Sequence, residues 1–573
     1  MSSPLRKSLV DVLVASGCDD LEEANRLAAT PNNGQTWTVL VLNSGKVDEQ
    51  RFTINLGQLF KTPVETVDLK SIDRTSLGLL PSRFVFKHHI LPLSATDEKV
   101  RLATYDVFNT VARRLATQLI NKKIEWVLVP RSELLRAIKA LYGVGAETFD
   151  EILKSTRTLD AADERVAAMD LNADDPEASV VKFVNQIIRE AINERATDIH
   201  VEPLESDLRI RYRIDGILHE VAVPPQLRVL QSSILSRLKV MAHMDIAEKR
   251  LPQDGRINLQ SGGESIDVRV STIPTVNGES ISLRLLTRNE QQQFGFERLD
   301  LSEKQAQLTR SLLTQPNGII LVTGPTGSGK STSLYSFLSS INSVQRRIIT
   351  IEEPVEYRLS GVSQIDVKPE IGLTFATGLR HILRQDPNVV MVGEIRDFET
   401  AEISIRAAMT GHLVFSTLHT NDAVGGITRL LDMGVEPFLL ASVVRAFIAQ
   451  RLVRTICPNC KALTGYPVEY LKEIGALVSP GFKYYRGAGC EHCRQTGYRG
   501  RAAIYEFCVV TEPLRRLVIE KATGSELKHR AIADGMETLR QVGWRRVLLG
   551  QTTVEEVVRV TQNDEIISET DRE

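Results

Sequence analysis

The nine residues Gly324, Pro325, Thr326, Gly327, Ser328, Gly329, Lys330, Ser331 and Thr332 spell G-x-x-x-x-G-K-[ST]. The chemistry of that spelling is phosphate binding. Gly324, Gly327 and Gly329 carry no side chains, so the backbone can wrap a polyphosphate and aim its N–H groups at the oxygens. Lys330 places a point charge on the β- and γ-phosphates, and Ser331 offers a hydroxyl to Mg²⁺. The context agrees. GIILVT, residues 318–323, is the short apolar run of a buried parallel strand. STSLYSFLSSI follows with helical spacing, so the loop opens a helix whose N-terminus faces the anion. Strand, loop, lysine–serine pair and helix in this order imply nucleotide binding. The bland alternative, a degenerate loop that binds nothing, would not need Lys330 and Ser331 together.

A phosphate loop needs carboxylates to hold Mg²⁺ and to orient water, and two sets are available. RIITIEEPVEY is an apolar strand ending in Glu352 and Glu353. NVVMVGEIRD is a second, Val389 to Val392, followed by Gly393 and Glu394. A carboxylate at the carboxyl end of a buried strand sits where the metal-shell residue of such enzymes sits. Glu394 is assigned to the Mg²⁺ shell and Glu353 to polarising water. Helix capping is the competing role for one of the glutamates, and the sequence leaves open which carboxylate is the base. GHLVFSTLHTNDA brings a third apolar strand flanked by His412 and His419. A histidine at a strand end beside a γ-phosphate can sense it or donate to it. His419 is the stronger candidate and His412 the weaker. Cys457, Cys460, Cys490 and Cys493 form two C-x-x-C pairs, the donor set of a tetrahedral Zn²⁺ site without an open position for chemistry. The 29 residues between the pairs exceed the usual ribbon spacing. Closure entropy grows only logarithmically, so the excess costs about half a kcal/mol. A redox role for the first pair is disfavoured by the second. Cys18 and Cys508 stand alone and are expected as buried thiols.

These groups need scaffolds to hold them. The 573 residues suffice for several domains, and 42% hydrophobic with 25% charged residues is ordinary for globular ones. A net charge of -2 gives no global pull toward nucleic acid. No run of about 18 apolar residues occurs, so no membrane-spanning helix is expected. LVDVLVASGC, Leu9 to Cys18, has the look of a short secretion signal, but Asp11 interrupts it and an amphipathic helix is the better reading. Between Asp150 and Ser179, nine acidic residues stand against three basic ones with few large apolar side chains, the composition of a tether. VVKFVNQIIREAI then puts Val181, Val184, Ile188 and Ile192 on one helix face. Three strands alternate strictly. Arg209, Arg211 and Arg213 oppose Leu208, Ile210, Tyr212 and Ile214. Asp267 and Arg269 oppose Ile266, Val268 and Val270. Arg284 opposes Ile281, Leu283 and Leu285. They imply a small α/β domain with one basic sheet face, an ordinary solvated face being the bland alternative. From Leu301 to about Arg454, short apolar strands alternate with helices in a doubly wound parallel pattern.

The stretches ATDIHVEP, RYRIDG, AEKRLPQDGR, GPTGSGKST, TIEEPVEY, LRQDPNVVMVGEIRD, GHLVFSTLHTNDA, CPNC with CEHC, GRAAIYE and the tail GMETLRQVGWRRVLLGQTTVEEVVRVT resemble the secretion ATPases of type II secretion and type IV pilus assembly. The resemblance covers roughly residues 175–565. It implies an α/β protein with a RecA-like P-loop core, a small PAS-like α/β domain before it, an N-terminal α/β docking domain and a Cys₄ zinc module. The boundaries expected are 1–145 for docking, 146–178 for the acidic linker and 179–286 for the PAS-like domain. A hinge at 287–296, the ATPase core at 297–455, the zinc module at 456–495 and a C-terminal helical region at 496–573 follow. The resemblance further implies ATP, Mg²⁺ and Zn²⁺ as cofactors and a ring-shaped homo-hexamer. The partners implied are an inner-membrane platform protein and an adaptor, with cytoplasmic, peripherally membrane-associated location and no direct nucleic acid. Glu353 stands where the family commonly has Asp, and His412 and His419 match its histidine box. Arg269 and Arg284 match arginines brought to the phosphates from the smaller domain. Arg380, Arg384, Arg396 and Arg501 fall at further family arginine positions. Of the N-terminal region, NLGQLFKTPV lacks the Arg-Leu-Gly opening with which some relatives bind a cyclic dinucleotide. The function implied is a motor ATPase for pilus or pseudopilus assembly. The alternatives are a related motor for DNA uptake or another filament, a nucleic-acid translocase, and a nucleotide-gated scaffold without turnover. The lack of an aromatic-plus-basic tract disfavours the translocase, and the two carboxylate sets disfavour the scaffold.

Overall fold

The computed structural model describes residues 3–29, 35–69, 71–120, 122–142, 176–223, 227–261, 264–287, 294–476 and 482–562. Residues 146–175 of the expected acidic linker and residues 288–293 of the hinge lie outside these. The chain divides into two compact units, Met1–Leu286 and Thr287–Glu573.

In the first unit, helices Ser3–Ala15, Leu21–Ala29, Trp37–Ser44 and Glu49–Phe60 come first. The opening segment is the amphipathic helix its pattern suggests: Leu9, Val10, Val12 and Leu13 are buried against Trp37 and Phe52, with Cys18 beside them. A three-stranded sheet of Leu91–Ala95, Lys99–Thr104 and Lys123–Leu128 follows. A six-stranded sheet forms the rest, in the order Ile217–Val221, Leu208–Ile214, Asp198–Pro203, Gly278–Thr287, Glu264–Thr275, Gln253–Ser261. Helix Pro176–Asn193 covers it through Val180, Phe183, Val184, Ile187, Ile188 and Ala191; of the expected face, Val184 and Ile188 are buried, Ile192 packs at the margin and Val181 does not join the core. The three alternating strands are present, but their polar face is not simply basic. Strand Asp198–Pro203 lies among them and interleaves its acids. Glu202 pairs with Arg209 and Arg211, and Asp198 with Arg213 and Arg284. Like charges facing one another across strands are unfavourable, and the inserted carboxylates relieve this. Arg269 sits directly opposite Arg256.

The second unit is built on a seven-stranded sheet in the order Ser363–Asp366, Ile348–Glu352, Val389–Val392, Leu413–Leu418, Gly318–Thr323, Val444–Ile456, Tyr498–Val509. The first six are parallel and the last is antiparallel. Every residue of Gly318–Thr323 and of Leu413–Leu418 is buried, as strands covered on both faces require. Helices Glu303–Leu313 and Lys330–Ile341 cover one face with Tyr335, Phe337 and Leu338. Phe398–Met409, Val424–Asp432 and Pro437–Val443 cover the other with Ile405, Ile427 and Leu440. This is a RecA-like P-loop core. The segment after residue 496, expected as helical, begins instead with the strand Tyr498–Val509, which extends the core sheet; Cys508 on it is fully buried. Helices follow from Glu512. Among the described residues, no helix is long and apolar enough to cross a membrane.

Candidate active site

In a parallel sheet the loops after the strands gather at one edge, and ligands bind there. The phosphate loop leaves Gly318–Thr323 at that edge and enters helix Lys330–Ile341. Gly324 has φ +149°, and a Cβ there would lie 2.6 Å from the Ser328 hydroxyl and 2.7 Å from the Gln450 carbonyl. Gly329, at the helix start, has φ +91° and the side-chain nitrogen of Gln450 at 2.8 Å from any Cβ. Both positions therefore exclude a side chain. Lys330 Nζ donates to the carbonyls of Gly324 at 2.8 Å and Pro325 at 3.1 Å. Burial brings its pKa down to about 8, against the pull of Glu394. Ser331 and Thr332 are exposed on the first turn.

The neighbouring strands deliver the acids. Val389–Val392 ends at Gly393, whose N–H donates to Ile351 O at 2.7 Å and whose carbonyl accepts from Thr417 Oγ1 at 2.8 Å. Ile395 N–H donates to Thr417 O at 3.1 Å. Glu394 is thus fixed between two strands. Its carboxylate meets His419 Nε2 at 3.2 Å and is also hydrogen-bonded by Arg396. The same guanidinium reaches Glu353 at 2.9 Å. Glu353, Arg396, Glu394 and His419 form one chain of contacts. These carboxylates raise the Arg396 pKa.

Adjacent Glu352 points elsewhere. It is buried, accepts hydrogen bonds from Tyr335, from Thr350 Oγ1 at 2.6 Å and from Gln364 Nε2 at 3.1 Å, and burial pushes its pKa up. Its surroundings are those of a core polar group. The two histidines separate by strand direction. His419 follows strand Leu413–Leu418 and joins the cluster. His412 precedes it, level with the start of Gly318–Thr323, and its Nδ1 contacts Ala407 O at 2.8 Å. It lies at the opposite sheet edge and cannot face the phosphates. Of the further arginines, Arg396 alone joins this cluster among the described residues. Arg380 pairs with Glu399, Arg384 is exposed, and Arg501 sits opposite Arg454 in the last strand pair.

Comparisons with known proteins place the chain in a family. The model of the family described as Type II/IV secretion system protein matches residues 173–559. The chain belongs to the Type II/IV secretion system protein family. A second model, the MshEN domain, matches residues 60–148. The chain is 41% identical over 544 residues to the Type IV pilus assembly ATPase PilB of Myxococcus xanthus, covering 93% of this chain and 94% of that one. It is 42% identical over 556 residues to the type II secretion system protein E of Xanthomonas campestris, covering 95% and 96%. The crystal structure of the pilus retraction motor PilT with bound ADP is 28% identical over 65% of this chain and 96% of that one, with a TM-score of 0.43.

This secretion-family chain also brings its four clustered cysteines together. The ligand atoms of Cys457, Cys460, Cys490 and Cys493 all lie within 4.8 Å of one another, with Sγ–Sγ distances of 3.7–3.8 Å for three of the pairs. Four sulfurs at about 2.3 Å around tetrahedral Zn²⁺ stand about 3.8 Å apart, so the donor set fits zinc. The N–H groups of Cys490 and Gly497 each lie 3.2 Å from Cys493 Sγ, contacts that favour a thiolate. The long spacing between the pairs is filled by strands Lys461–Thr464 and Tyr484–Gly487, paired antiparallel, and helix Val468–Glu473.

Sequence reading missed the floor beneath the phosphate loop. Gln450 and Arg451 are buried on strand Val444–Ile456, and Ser333 Oγ donates to Gln450 Oε1 at 2.8 Å. Two successive polar residues inside the otherwise apolar run AFIAQRLV are the signal that could have found them.

Proposed function

We propose that this chain is a motor ATPase that drives assembly of a type IV pilus or a type II secretion pseudopilus. The observation that carries the reading is the chain of contacts Glu353–Arg396–Glu394–His419, set at the same sheet edge as Lys330. The near full-length relatives named pilus assembly ATPase and type II secretion protein E give the machinery. Residues 324–332 bind the triphosphate. Magnesium, when bound, neutralises charge on the β- and γ-phosphates. Ser331 and Glu394 are the residues that would hold it.

Glu353 polarises the attacking water. The water oxygen forms a bond to the γ-phosphorus, the bond to the bridging oxygen breaks, and ADP and inorganic phosphate leave. The proton released from water passes to the carboxylate cluster and then to solvent. His419 holds Glu394 and reports the γ-phosphate to it. Arg396 keeps the two carboxylates near each other despite their like charge. Arg269 and Arg284 neutralise the transferring phosphoryl group.

The remaining features belong to the same proposal. The working form is a homo-hexamer on the cytoplasmic face of the inner membrane, held there by a platform protein and an adaptor that docks on residues 1–145. One Zn²⁺ per chain ties Cys457, Cys460, Cys490 and Cys493. The test is steady-state ATP hydrolysis by the purified full chain. Lys330→Ala should abolish turnover, and Glu394→Gln should keep ATP binding while lowering turnover by about 10²–10⁴-fold. Unchanged turnover in either variant refutes the site. Hydrolysis stimulated by DNA would replace the assembly reading with the translocase.

A further inference from the structure

Strand Val444–Ile456 outruns the phosphate-loop strand it pairs with. Thr323 lies opposite Ala449, so Gln450 and Arg451 continue past the point where the chain turns into the phosphate loop. There they meet a second segment. Strand Leu413–Leu418 ends beside them, and His419 to Ala423 connect it to helix Val424–Asp432. His419 opens that connection and reaches Glu394 at 3.2 Å. It is exposed and sits in neither helix nor strand, so the distance depends on what holds the connection in place.

Arg451 holds it from below. The residue is 8% exposed; Nη2 donates to Asn421 O at 2.5 Å and Nη1 to Gln450 O at 3.0 Å. Nη1 also lies 3.1 Å from the point a Cβ on Gly324 would occupy. One guanidinium therefore stands between the connection and the first glycine of the phosphate loop. Three further bonds run alongside it. Thr323 Oγ1 donates to Asp422 O at 3.3 Å, the Gly324 N–H to Leu418 O at 3.2 Å and the Ala423 N–H to Glu506 at 2.8 Å. Burial lowers the Arg451 pKa, and the nearby carboxylates of Glu506 and Asp422 oppose this. With its charge met by those acids, what Arg451 adds is geometry. A planar fork bonds two carbonyls at once, and an ammonium cannot reproduce it.

We propose that Arg451 is a positioning residue of the hydrolysis site: it pins the 419–423 connection to the base of the phosphate loop and so sets His419 against Glu394. The pinning stands on the bond geometry alone; its effect on turnover rests on the ATPase reading.

The test uses the full-length protein in four forms: wild type, Arg451→Lys, His419→Ala and the double variant. Lysine keeps the charge that Glu506 and Asp422 face but cannot bond both carbonyls. Amide hydrogen exchange without nucleotide reads the pinning, and single-turnover ATP hydrolysis reads its consequence. In Arg451→Lys the amides of Ala423 and Gly425, which donate to Glu506 and Asp422, are expected to exchange about tenfold faster, the worth of one hydrogen bond from a charged donor. Those of helix Lys330–Ile341 should keep their rates. The hydrolysis rate is expected to fall about tenfold with the half-saturating ATP concentration little changed. In the His419→Ala background, Arg451→Lys is expected to cost nothing further, because its effect passes through that side chain. Unchanged exchange at Ala423 and Gly425 overturns the pinning. An equal fold-loss with and without His419, which a merely structural role would give, overturns the positioning role. Should Arg451→Lys fail to fold, Thr323→Val removes only the Thr323–Asp422 bond and is read by the same two criteria. A wild type that hydrolyses no ATP removes the ATPase reading, while exchange still decides the pinning.

Discussion

Replacing Lys330 by Met should stabilise the nucleotide-free protein while abolishing turnover. Burial brings the Lys330 pKa from 10.5 to about 8, with Arg451 acting in the same direction and Glu394 against it. A base whose folded pKa lies below its unfolded value binds fewer protons when folded across that interval. Stability then rises with pH between about 8 and 10.5, and the cost of the buried charge is fully present below about 8. The interval of 10.5 − 8 = 2.5 pH units corresponds to about 3.4 kcal/mol as a ceiling. Lys330 keeps contact with solvent, and screening reduces that to about 1–2 kcal/mol. Of the two hydrogen bonds lost in the variant, water can replace the one to exposed Pro325, while the buried Gly324 carbonyl loses its donor and gives back part of that gain. A net gain of about 1 kcal/mol near pH 7 remains. The assay is denaturant unfolding of both proteins near pH 7, 8.5 and 10, following the transition that nucleotide shifts. The advantage of the variant should shrink toward zero at the highest pH. It should reverse in saturating ATP, because only the wild type gains binding free energy. A variant less stable than wild type near pH 7, or an advantage independent of pH, refutes the reasoning.

Arg269→Ala and Arg284→Ala should each lose turnover by about 10³-fold or more while retaining ATP affinity. Arg209→Ala, whose guanidinium is held by Glu202 at 3.1 Å, should be near normal in the same ATPase assay. Cys490→Ser should take the zinc content of the purified protein from one per chain to none and unfold the 456–495 region first, read by elemental analysis and hydrogen exchange. Glu556 is buried, which raises its pKa, yet Arg559 and Arg454 outweigh burial and bring it to about 2. The stability it supplies is fully present above pH 4.5 and is lost as pH falls through about 2. Glu556→Gln should therefore cost about 3 kcal/mol near pH 7 in denaturant unfolding, with the deficit closing in acid.

What the sequence made legible follows from which physical demands leave local marks. Phosphate binding demands glycines, a lysine and a hydroxyl at fixed spacing, and parallel strands buried on both faces demand short apolar runs. The loop, its strand and helix, and the acid-bearing strands could all be placed from the chain alone. Non-local pairing leaves weaker marks. Tyr498–Val509 sits after the second cysteine pair and mixes arginine, glycine and glutamate with apolar residues. Its place beside Val444–Ile456 is set by tertiary packing, which its local pattern does not reveal. The charge balance of the arginine face is hidden in the sequence for a related reason. Asp198 and Glu202 neutralise it only once their strand is inserted among the others. His412 could have been set aside by argument: it precedes a parallel strand whose far end carries the site, so it must lie at the opposite edge.

Strand Val444–Ile456 gives these separate pieces a common frame. Gln450 and Arg451 lie beneath the phosphate loop, Arg454 is held by Glu556 at 2.6 Å, and Cys457 follows the strand directly. Its two neighbours are the phosphate-loop strand on one side and Tyr498–Val509 on the other. A residue inserted in this strand would flip every following side chain to the opposite face. The loop floor, the Arg454–Glu556 pair and the first zinc ligand therefore share one register. The buried Arg454–Glu556 pair suits that role better than a purely stabilising one. Buried ion pairs of this kind often contribute little over apolar replacements, but they admit a single partner geometry. Strand Val444–Ile456 is thus aligned from its carboxyl end by the Arg454–Glu556 pair and the cysteine site, and from its middle by the phosphate loop.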